Sequence, residues 1–440
     1  MDMMTLSILA IVAFLVLILL GMNIGLSLLL VGFIGFAIAR DNPLAAIGVL
    51  QNLPATQAST YALMVLPMFI LMGNFAFVAG LSDGLYDVCN KWLSRFPGSL
   101  ACGTMAASAG FGAVCGSLAG TVATMGTIAI PEMRKYGYQD QFATGAVAMG
   151  GTIGAIIPPS TLFVIYGVVA EASVTRLFAA GVVPGILLTV LCVITVLILV
   201  KINPSVAPAP TSTPWNVRFK ALTGLVPIII LFGVVLGGLF TGYLTINQSA
   251  AVGAITAAII CAVKRKLTWK NFVFVLTKSV QTTAMTFLIM VGAAVFCNFL
   301  LITGFPRQLA SLITGLDMPT YAVIALMTVI YLILGALMDE LPMLLMTVPI
   351  FLPIVLELGF DPIWFGVYVV LCMEMGAIAP PVGLTCFILA GIAKDIPLVT
   401  IYKGAVPYLI TLLVCIGIVT VFTPLATWLP DTLYNIAQVG

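Results

Sequence analysis

Two short phrases carry the residue types that could bind a small cation: GAIIPPS at 154–160 and GAIAPPV at 376–382, both within strongly apolar sequence. Consecutive prolines lack amide donors and disfavour helix at the residue before each, so carbonyl oxygens just upstream lose their partners. Irregular backbone at membrane depth persists only where it is buried in protein or lines a wet cavity. Because a sodium ion accepts carbonyl and hydroxyl oxygens, the two phrases predict a pair of related cation sites.

Two turns, one before each phrase, could supply further oxygen ligands. Ser117 and Thr121 lie in a stretch dense in small and hydroxyl residues, and Asp339 lies in the corresponding stretch of the second half. Half-helix N-termini at such turns favour anionic groups of a substrate. The predicted cation ligands are Gly116, Ser117, Gly154, Ile157, Pro158, Asp339, Gly376, Ala379 and Gly383. The predicted substrate-binding residues are Thr121, Ser160, Thr347, Glu374 and Thr385.

Each of these residues also has a structural interpretation that needs no ligand. A proline in a membrane helix is often only a kink, and small residues often mark close helix packing. A serine or threonine in a helix often bonds its own backbone. Two copies of the break, each following a predicted hairpin, favour a site over a kink.

Three acidic residues stand in apolar surroundings: Asp339, Glu340 and Glu374. A charge at mid-membrane costs about 2.5–3.5 kcal/mol on insertion scales, so such residues are read as functional by default. The alternative is that Asp339 and Glu340 form a solvated turn in a wet cleft. A role is expected for Asp339 and Glu374 before Glu340.

The composition identifies the environment that these residues share. Of 440 residues, 62% are hydrophobic and 7% are charged, against roughly 25% charged in soluble domains. The chain is therefore a polytopic membrane protein in a lipid bilayer, and its net charge of +2 gives no indication of nucleic-acid binding. The absence of histidine excludes histidine catalysis and histidine metal sites, and the nine scattered cysteines form no CxxC pair.

An internal duplication relates the two phrases. The halves, 1–201 and 217–440, flank a Pro/Ser/Thr-rich linker at 202–216. Several identities recur at one nearly fixed offset, which chance does not readily produce. The matched pairs are Pro131 with Pro353, Gly154 with Gly376, Pro158 with Pro380 and Pro159 with Pro381, all 222 residues apart, and Gly181 with Gly404, 223 apart.

The apolar pattern predicts the same set of elements in each half. The fold is predicted to be all-α, with about ten spans and two re-entrant hairpins. The predicted elements are scaffold spans at 4–39 and 222–263, arms at 42–58 and 264–280, hairpins at 99–133 and 319–354, and broken helices at 141–172 and 361–393.

Charges predict that the two halves are inverted in the membrane. Basic residues flank the first hairpin at both ends, surround the linker and cluster at 264–270, which the positive-inside rule places in the cytoplasm. The second hairpin is followed by Glu357 and Asp361 and should open to the outside, with both chain termini periplasmic. Inverted repeats with broken helices are typical of secondary transporters.

Four stretches give the chain a resemblance to a known family: AVCGSLAGTVATMGTIAIPEM at 113–133, GGTIGAIIPPS at 150–160, LGALMDELPMLLMTVPIFLPI at 334–354 and MEMGAIAPPVGLTCF at 373–387. Over essentially its whole length the chain resembles the large membrane subunit of tripartite ATP-independent periplasmic (TRAP) transporters. The resemblance implies a bacterial inner-membrane permease, not an enzyme, that is driven by a gradient of two or more sodium ions and works by an elevator motion.

The resemblance also implies partners and a substrate class. The partners would be a small four-helix membrane subunit, here expected on a separate polypeptide, and a periplasmic substrate-binding protein. Substrates of the family are small organic anions such as C4-dicarboxylates, sialic acid and some sulfonates.

Two motifs depart from the family's usual pattern. The first hairpin turn usually reads close to SGSSPAT and here reads CGSLAGT at 115–121. The second break usually reads ITPPVGLN and here reads IAPPVGLT, with Ala379 in place of threonine and Thr385 in place of asparagine. Because side-chain oxygens are fewer, sodium ligation should depend more on backbone carbonyls, or the changed positions face the substrate.

Other functions remain open at this point. A stand-alone sodium–carboxylate symporter or an anion exporter could share the inverted architecture, and uptake without a binding protein would favour it. An intramembrane enzyme is disfavoured, because the chain has no histidine and no paired carboxylates outside 339–340. A purely structural membrane subunit would be excluded by sodium bound at the breaks.

Overall fold

The computed structural model describes residues 2–209, 213–315 and 318–439. Linker residues 210–212 and both terminal residues, to which predictions above refer, lie outside these ranges. Within them the chain forms helices and no strand. This confirms the predicted all-α class and fits a membrane environment, because a helix satisfies its backbone groups internally.

The first half begins with two apolar helices and ends with a long one. Several helices start at a side chain that caps free amides: Asn23, Asn42 and Ser173 each accept a hydrogen bond from the first turn. The helices are Met3–Leu19, Ile24–Arg40, Pro43–Ser59, Tyr61–Val78, Leu81–Leu93, Ser99–Cys115, Leu118–Lys135, Asp140–Ile156, Thr161–Val169 and Val174–Ile202.

The second half repeats this order and adds a C-terminal helix. Leu118–Lys135 and Glu340–Glu357 start and end 222 residues apart, as do Asp140–Ile156 and Pro362–Ile378. The helices of the second half are Trp215–Gly224, Val226–Phe240, Ile246–Val263, Trp269–Ile302, Phe305–Thr314, Thr320–Gly335, Glu340–Glu357, Pro362–Ile378, Leu384–Ile392, Leu398–Val421 and Pro424–Val439.

Four named units follow from these bounds. Hairpin 1 consists of Ser99–Cys115 and Leu118–Lys135, and hairpin 2 of Thr320–Gly335 and Glu340–Glu357. Broken helix 1 consists of Asp140–Ile156 and Thr161–Val169, and broken helix 2 of Pro362–Ile378 and Leu384–Ile392. The interruptions fall at the two Pro-Pro phrases, where the missing amides end the first segment of each helix.

The second arm differs from its prediction. The sequence predicted an arm at 264–280, but the structure has one helix, Trp269–Ile302 (the long helix), which continues well past residue 280. This segment contains no proline and only one glycine, Gly292, so nothing interrupts it. Its 34 residues extend about 51 Å at the ordinary helical rise. That length exceeds the roughly 30 Å hydrocarbon core, so part of it must lie beyond the core or run obliquely.

Among the described residues, six helices are long and apolar enough to cross a membrane, and two bent pairs raise the number to eight. One bent pair is broken helix 1, whose segments meet at 46°. Further apolar helices, such as Ile24–Arg40 and Pro362–Ile378, are slightly shorter. The chain is thus a multi-pass membrane protein, and the figure of about ten spans stays a prediction.

Pairs of glycines bring each hairpin against its broken helix. A Cβ atom placed on Gly112 would lie 2.4 Å from the Cα of Gly154, and one placed on Gly376 would lie 2.5 Å from the Cα of Gly335. The two pairs occupy corresponding places in the two halves. Only glycine permits this backbone separation, so hairpin and broken helix are closely fitted in both.

An ion-pair network joins the two halves near the end of hairpin 1. Arg134 binds Asp140 at the start of broken helix 1 (Nε–Oδ1 2.6 Å) and Asp395 just after broken helix 2 (Nη2–Oδ2 2.7 Å). The hydrogen bond from Arg134 lowers the pKa of Asp395. Close by, a Cβ atom on Gly145 would lie 2.1 Å from the carbonyl oxygen of Gly404. Broken helix 1 is therefore packed directly against Leu398–Val421 of the second half, and the Arg134 network joins it to the segment after broken helix 2.

Candidate functional site

A cavity of about 490 Å³ lies where the tips of both hairpins face the long helix. Broken helix 1 and the second segment of broken helix 2 contribute to its wall, as does Tyr61–Val78. Its polar and charged lining residues are Asn74, Ser117, Thr161, Lys278, Thr282, Thr286, Asp339 and Glu340. The cavity therefore combines carboxylate and hydroxyl oxygens on the hairpin side with an ammonium group on the long helix.

The tip of hairpin 1 lies against the first break. Gly116 has a φ of +61°, a conformation that lets the chain turn between the two helices. Ser117 caps the second helix by accepting a hydrogen bond from the Gly120 amide at 3.3 Å. The hydroxyl of Thr161, just after the break, donates to the carbonyl of Gly116 at 2.8 Å. Tip and break are thus joined directly, with Ser117 at the cavity surface.

The tip of hairpin 2 has the corresponding arrangement. Asp339, which stands 222 residues after Ser117, caps its helix by accepting from the Glu340 amide at 2.9 Å. The amide of Val382, within the second break, donates to the carbonyl of Ala336 at 3.2 Å. Both predicted hairpin turns therefore place a side-chain oxygen at a helix start beside a break.

Two buried carboxyl groups stand behind the second tip. Glu340 is 9% exposed and Glu374 is fully buried, and the two are close enough to interact electrostatically. Within the described residues, the Glu374 carboxyl has no partner other than the Glu340 carboxyl, with which it can share a proton, and Oε1 of Glu340 has no hydrogen-bond donor. A buried carboxylate without a partner is costly, so this pair calls for a bound cation or a proton. Oxygen donors of this kind suit a hard cation such as sodium.

Two of the predicted substrate-binding residues, Thr121 and Thr347, bond the backbone of their own helices, as the alternative without a ligand expects. The Thr121 hydroxyl donates to the carbonyl of Ser117 at 2.8 Å, one turn back. The Thr347 hydroxyl donates to the carbonyl of Met343 at 2.7 Å and accepts from Tyr331 at 2.8 Å. Neither residue lines the cavity. Both hydroxyls form hydrogen bonds inside their own hairpins. They therefore stabilise the hairpins and do not face the cavity.

The remaining predicted residues lie in or beside the breaks. Ile157 and Ala379 each end a helical segment in extended conformation, and Gly383 has a φ of +51°. The Thr385 hydroxyl donates to the carbonyl of Ala377 at 2.9 Å and so satisfies one freed carbonyl. Pro158 and Ser160 lie in the first break, where the Ser160 hydroxyl is buried without a hydrogen-bond partner in the described chain. Gly154 and Gly376 form the glycine contacts described above.

The site also includes residues that the sequence analysis missed. Lys278, Thr282 and Thr286 recur every four residues on the long helix and so share one face of it. Asn74 lies beside them, and its side-chain amide donates to Ser279 at 2.9 Å. Lys278 makes no ion pair or hydrogen bond with any residue the structure describes. The signal that could have found this face was the run of polar residues at 277–286, in which a lysine is followed at every fourth position by a threonine.

Comparison with known proteins matches nearly the whole chain to one protein family. The family model described as "Tripartite ATP-independent periplasmic transporter, DctM component" matches residues 11–425. The C4-dicarboxylate TRAP transporter large permease protein DctM of Pseudomonas aeruginosa is 35% identical over 376 residues, which cover 85% of this chain and 87% of that protein.

Two further relatives differ in the substrate that their names give. The sialic acid TRAP transporter large permease protein SiaM of Vibrio cholerae is 29% identical over 420 residues, covering 95% of this chain and 97% of that protein. The isethionate TRAP transporter permease protein DctMQ of Oleidesulfovibrio alaskensis is 32% identical over 408 residues, covering 89% of this chain and 62% of that protein.

The fold recurs in a solved structure of much lower similarity. The YdaH transporter of Alcanivorax borkumensis matches with a TM-score of 0.58, over 88% of this chain and 90% of that chain, at 15% identity. At that identity the likeness shows the fold alone.

Proposed function

This chain belongs to the family of the DctM component of tripartite ATP-independent periplasmic transporters, and we propose that it imports a small organic anion together with sodium ions. The observation that carries the proposal is the cavity between the two hairpin tips and the long helix. Cation-binding oxygens line one side of it and an ammonium group lines the other. A cavity of this kind suits an anion accompanied by cations.

The substrate class is supported by the relatives and by Lys278. C4-dicarboxylates, sialic acid and isethionate, which appear in the names of the relatives, all carry a carboxylate or sulfonate at neutral pH. Lys278 lines the cavity and has no ionic partner among described residues. Its ammonium group is therefore available to an anionic group of the substrate.

Sodium coupling is supported by the donor atoms at the breaks. Ser117 and Asp339 lie at the tips, and the buried Glu340 and Glu374 carboxyls, which no basic residue neutralises within the described chain, lie behind the second tip. Two repeats with this chemistry would hold two or more sodium ions as co-substrates. The bound ions would offset the negative charge of the tips and so allow the anionic substrate to approach.

The transport motion that we propose is of the elevator type. Hairpins and broken helices would move as one unit, since glycine contacts and the Arg134 network hold them together. The scaffold spans 4–39 and 222–263 would stay fixed, with the arm 42–58 and the N-terminal part of the long helix linking them to the unit. Because the long helix carries Lys278 on the cavity wall, movement of the unit past it would open the site to each side in turn.

The proposed partners and location follow the family. A small four-helix membrane subunit would cover part of the scaffold, whose helix Met3–Leu19 exposes apolar side chains such as Leu9 and Val12. A periplasmic binding protein would deliver the substrate. The complex would lie in the bacterial inner membrane, with both termini of this chain periplasmic.

Uptake by reconstituted vesicles tests the proposal. With the small subunit and a binding protein present, an inward sodium gradient should drive accumulation of the radiolabelled anion, and its collapse should abolish accumulation. Uptake that continues unchanged without sodium would contradict the coupling. Uptake by this chain without a binding protein would instead support a stand-alone symporter.

A further inference from the structure

A cluster of aromatic and basic side chains, none of which lines the cavity, lies at the junction of the amphipathic helix Leu81–Leu93 and the start of the second half. The guanidinium groups of Arg95 and Arg218 stack on the ring of Trp215, with their Cζ atoms 5.2 and 5.0 Å from its centroid. We call these three residues the Arg–Trp patch. Two cations on one ring concentrate positive charge at a single point.

Arg218 is unusual because it is buried without a counterion. Its side chain is 3% exposed, and one guanidinium nitrogen donates to the Ser94 hydroxyl at 3.1 Å. Its Nε has no hydrogen-bond partner, and no carboxylate pairs with it within the described residues. Asp87, on the amphipathic helix Leu81–Leu93, is paired with Lys91. A buried guanidinium in this state calls for an anion.

The surroundings of the patch indicate which anion it suits. Trp215, Phe219 and Phe96 are 52%, 59% and 44% exposed, and Trp92 packs edge-on against Trp215 at 6.3 Å. Tryptophans of this kind lie at the membrane–water boundary, where lipid headgroups meet the protein. Arginine binds phosphate oxygens with its planar fork, and exposed rings contact the glycerol and upper acyl region.

We propose that the Arg–Trp patch binds the phosphate of an anionic phospholipid. The headgroup would satisfy Arg218 and Arg95 together, and the exposed rings would contact the remainder of the lipid. The ligand would thereby fasten the start of the second half to the amphipathic helix of the first. This assignment does not depend on the transported substrate or on sodium.

Lipid titration of the purified full-length chain in a zwitterionic detergent tests the proposal. Dioctanoyl phosphatidylglycerol should raise the unfolding temperature, and native mass spectrometry should count the bound lipid. Dioctanoyl phosphatidylcholine and inorganic phosphate serve as separate arms. Arg218→Gln should raise the half-saturating concentration about tenfold or more, because a charge-assisted hydrogen bond is lost. Arg95→Gln should do the same while leaving the packed Arg218 in place, in case Arg218→Gln does not fold.

Lys220→Gln is the matched control, since Lys220 is an exposed cation on the same short helix and does not stack on Trp215. It should leave the half-saturating concentration within about twofold of the unchanged protein. Equal binding of phosphatidylcholine would overturn the proposal, as would an equal effect of inorganic phosphate alone. Unchanged binding in both arginine variants, or an equally large loss in Lys220→Gln, would overturn it too.

Discussion

At the scale of single residues, the two hairpin tips carry different chemical groups at equivalent positions. Ser117 and Asp339 both cap a helix beside a break and both line the cavity. A hydroxyl and a carboxylate differ in charge, so the two cation sites that we propose should differ in affinity. The site on the Asp339 side is expected to bind sodium more tightly, because a carboxylate attracts the cation with a full negative charge and a hydroxyl only with its dipole.

Removal of the Ser117 hydroxyl or of the Asp339 charge should weaken sodium binding. We expect Ser117→Ala and Asp339→Asn to raise the sodium concentration for half-maximal uptake, about tenfold for Asp339→Asn and less for Ser117→Ala. Sodium titration of vesicle uptake measures this. Thr127→Ala is the control, since Thr127 bonds its own helix and is exposed. An unchanged sodium requirement in Ser117→Ala or in Asp339→Asn would show that the substituted residue is not part of the site.

Lys278 should act on the substrate and leave sodium binding intact. Lys278→Gln removes the cation that lines the cavity, so the KM for the anionic substrate should rise about tenfold or more while the sodium requirement stays the same. Kinetic uptake at saturating sodium measures this. Lys270→Gln, on the same long helix but away from the cavity, should leave KM unchanged. A larger effect on sodium than on substrate would contradict the assignment.

At the scale of elements, hairpins and broken helices depend on glycine contacts. Gly112→Ala would place a Cβ atom 2.4 Å from the Cα of Gly154, so a backbone must shift. We expect a loss of about 1–3 kcal/mol in stability, despite the gain in helix propensity. Thermal unfolding in detergent measures the change. Gly417→Ala, where no atom lies within 4 Å, should be neutral or stabilising, and equal behaviour of the two variants would contradict the close contact.

The Arg134 network should show a defined pH dependence. Because the pKa of Asp395 is lowered in the folded protein, its contribution to stability is present above the unfolded pKa and lost as pH falls through the folded pKa. Arg134→Gln should therefore unfold at a lower temperature than the unchanged protein at neutral pH, with the difference vanishing in acid. Lys135→Gln is the control, because it removes a positive charge at the adjacent position, which belongs to no ion pair of the network. A difference that persists in acid would contradict the assignment.

At the scale of the whole molecule, the proposed motion predicts which cross-links block transport. Ala119 and Met285 face the same cavity from hairpin 1 and from the long helix. In a variant without the nine native cysteines, a bifunctional cross-linker between cysteines at these positions should stop uptake, because the mobile unit could not pass the long helix. Vesicle uptake before and after cross-linking measures this.

The control for this experiment is a pair that joins the last long helices of the two halves. The hydroxyls of Thr195 and Thr411 lie 2.6 Å apart. A cross-link between cysteines at these positions should leave uptake at its level before cross-linking. Inhibition by both cross-links, or by neither, would count against the elevator motion.

The sequence by itself determined the class, the duplication and the places where helices break. These are local properties: proline and glycine act on their own backbone, and apolar runs of a given length form helices wherever they stand. The two Pro-Pro phrases therefore marked both breaks, and Ser117 and Asp339 were found from their place in the turns. The long helix was misjudged because a basic start resembles an interfacial arm, whereas nothing in 269–291 interrupts the helix.

Only the tertiary structure decided what surrounds the cavity. Lys278 and Asn74 lie more than 200 residues apart in sequence, yet both line the same wall. Packing also decided which hydroxyls are available to a ligand. Those of Thr121 and Thr385 bond carbonyls of their own hairpin or broken helix, and that of Thr161 bonds the Gly116 carbonyl at the neighbouring tip. A side chain's direction depends on how its helix is rotated against its neighbours, and this rotation is fixed by contacts between distant segments that no local pattern encodes.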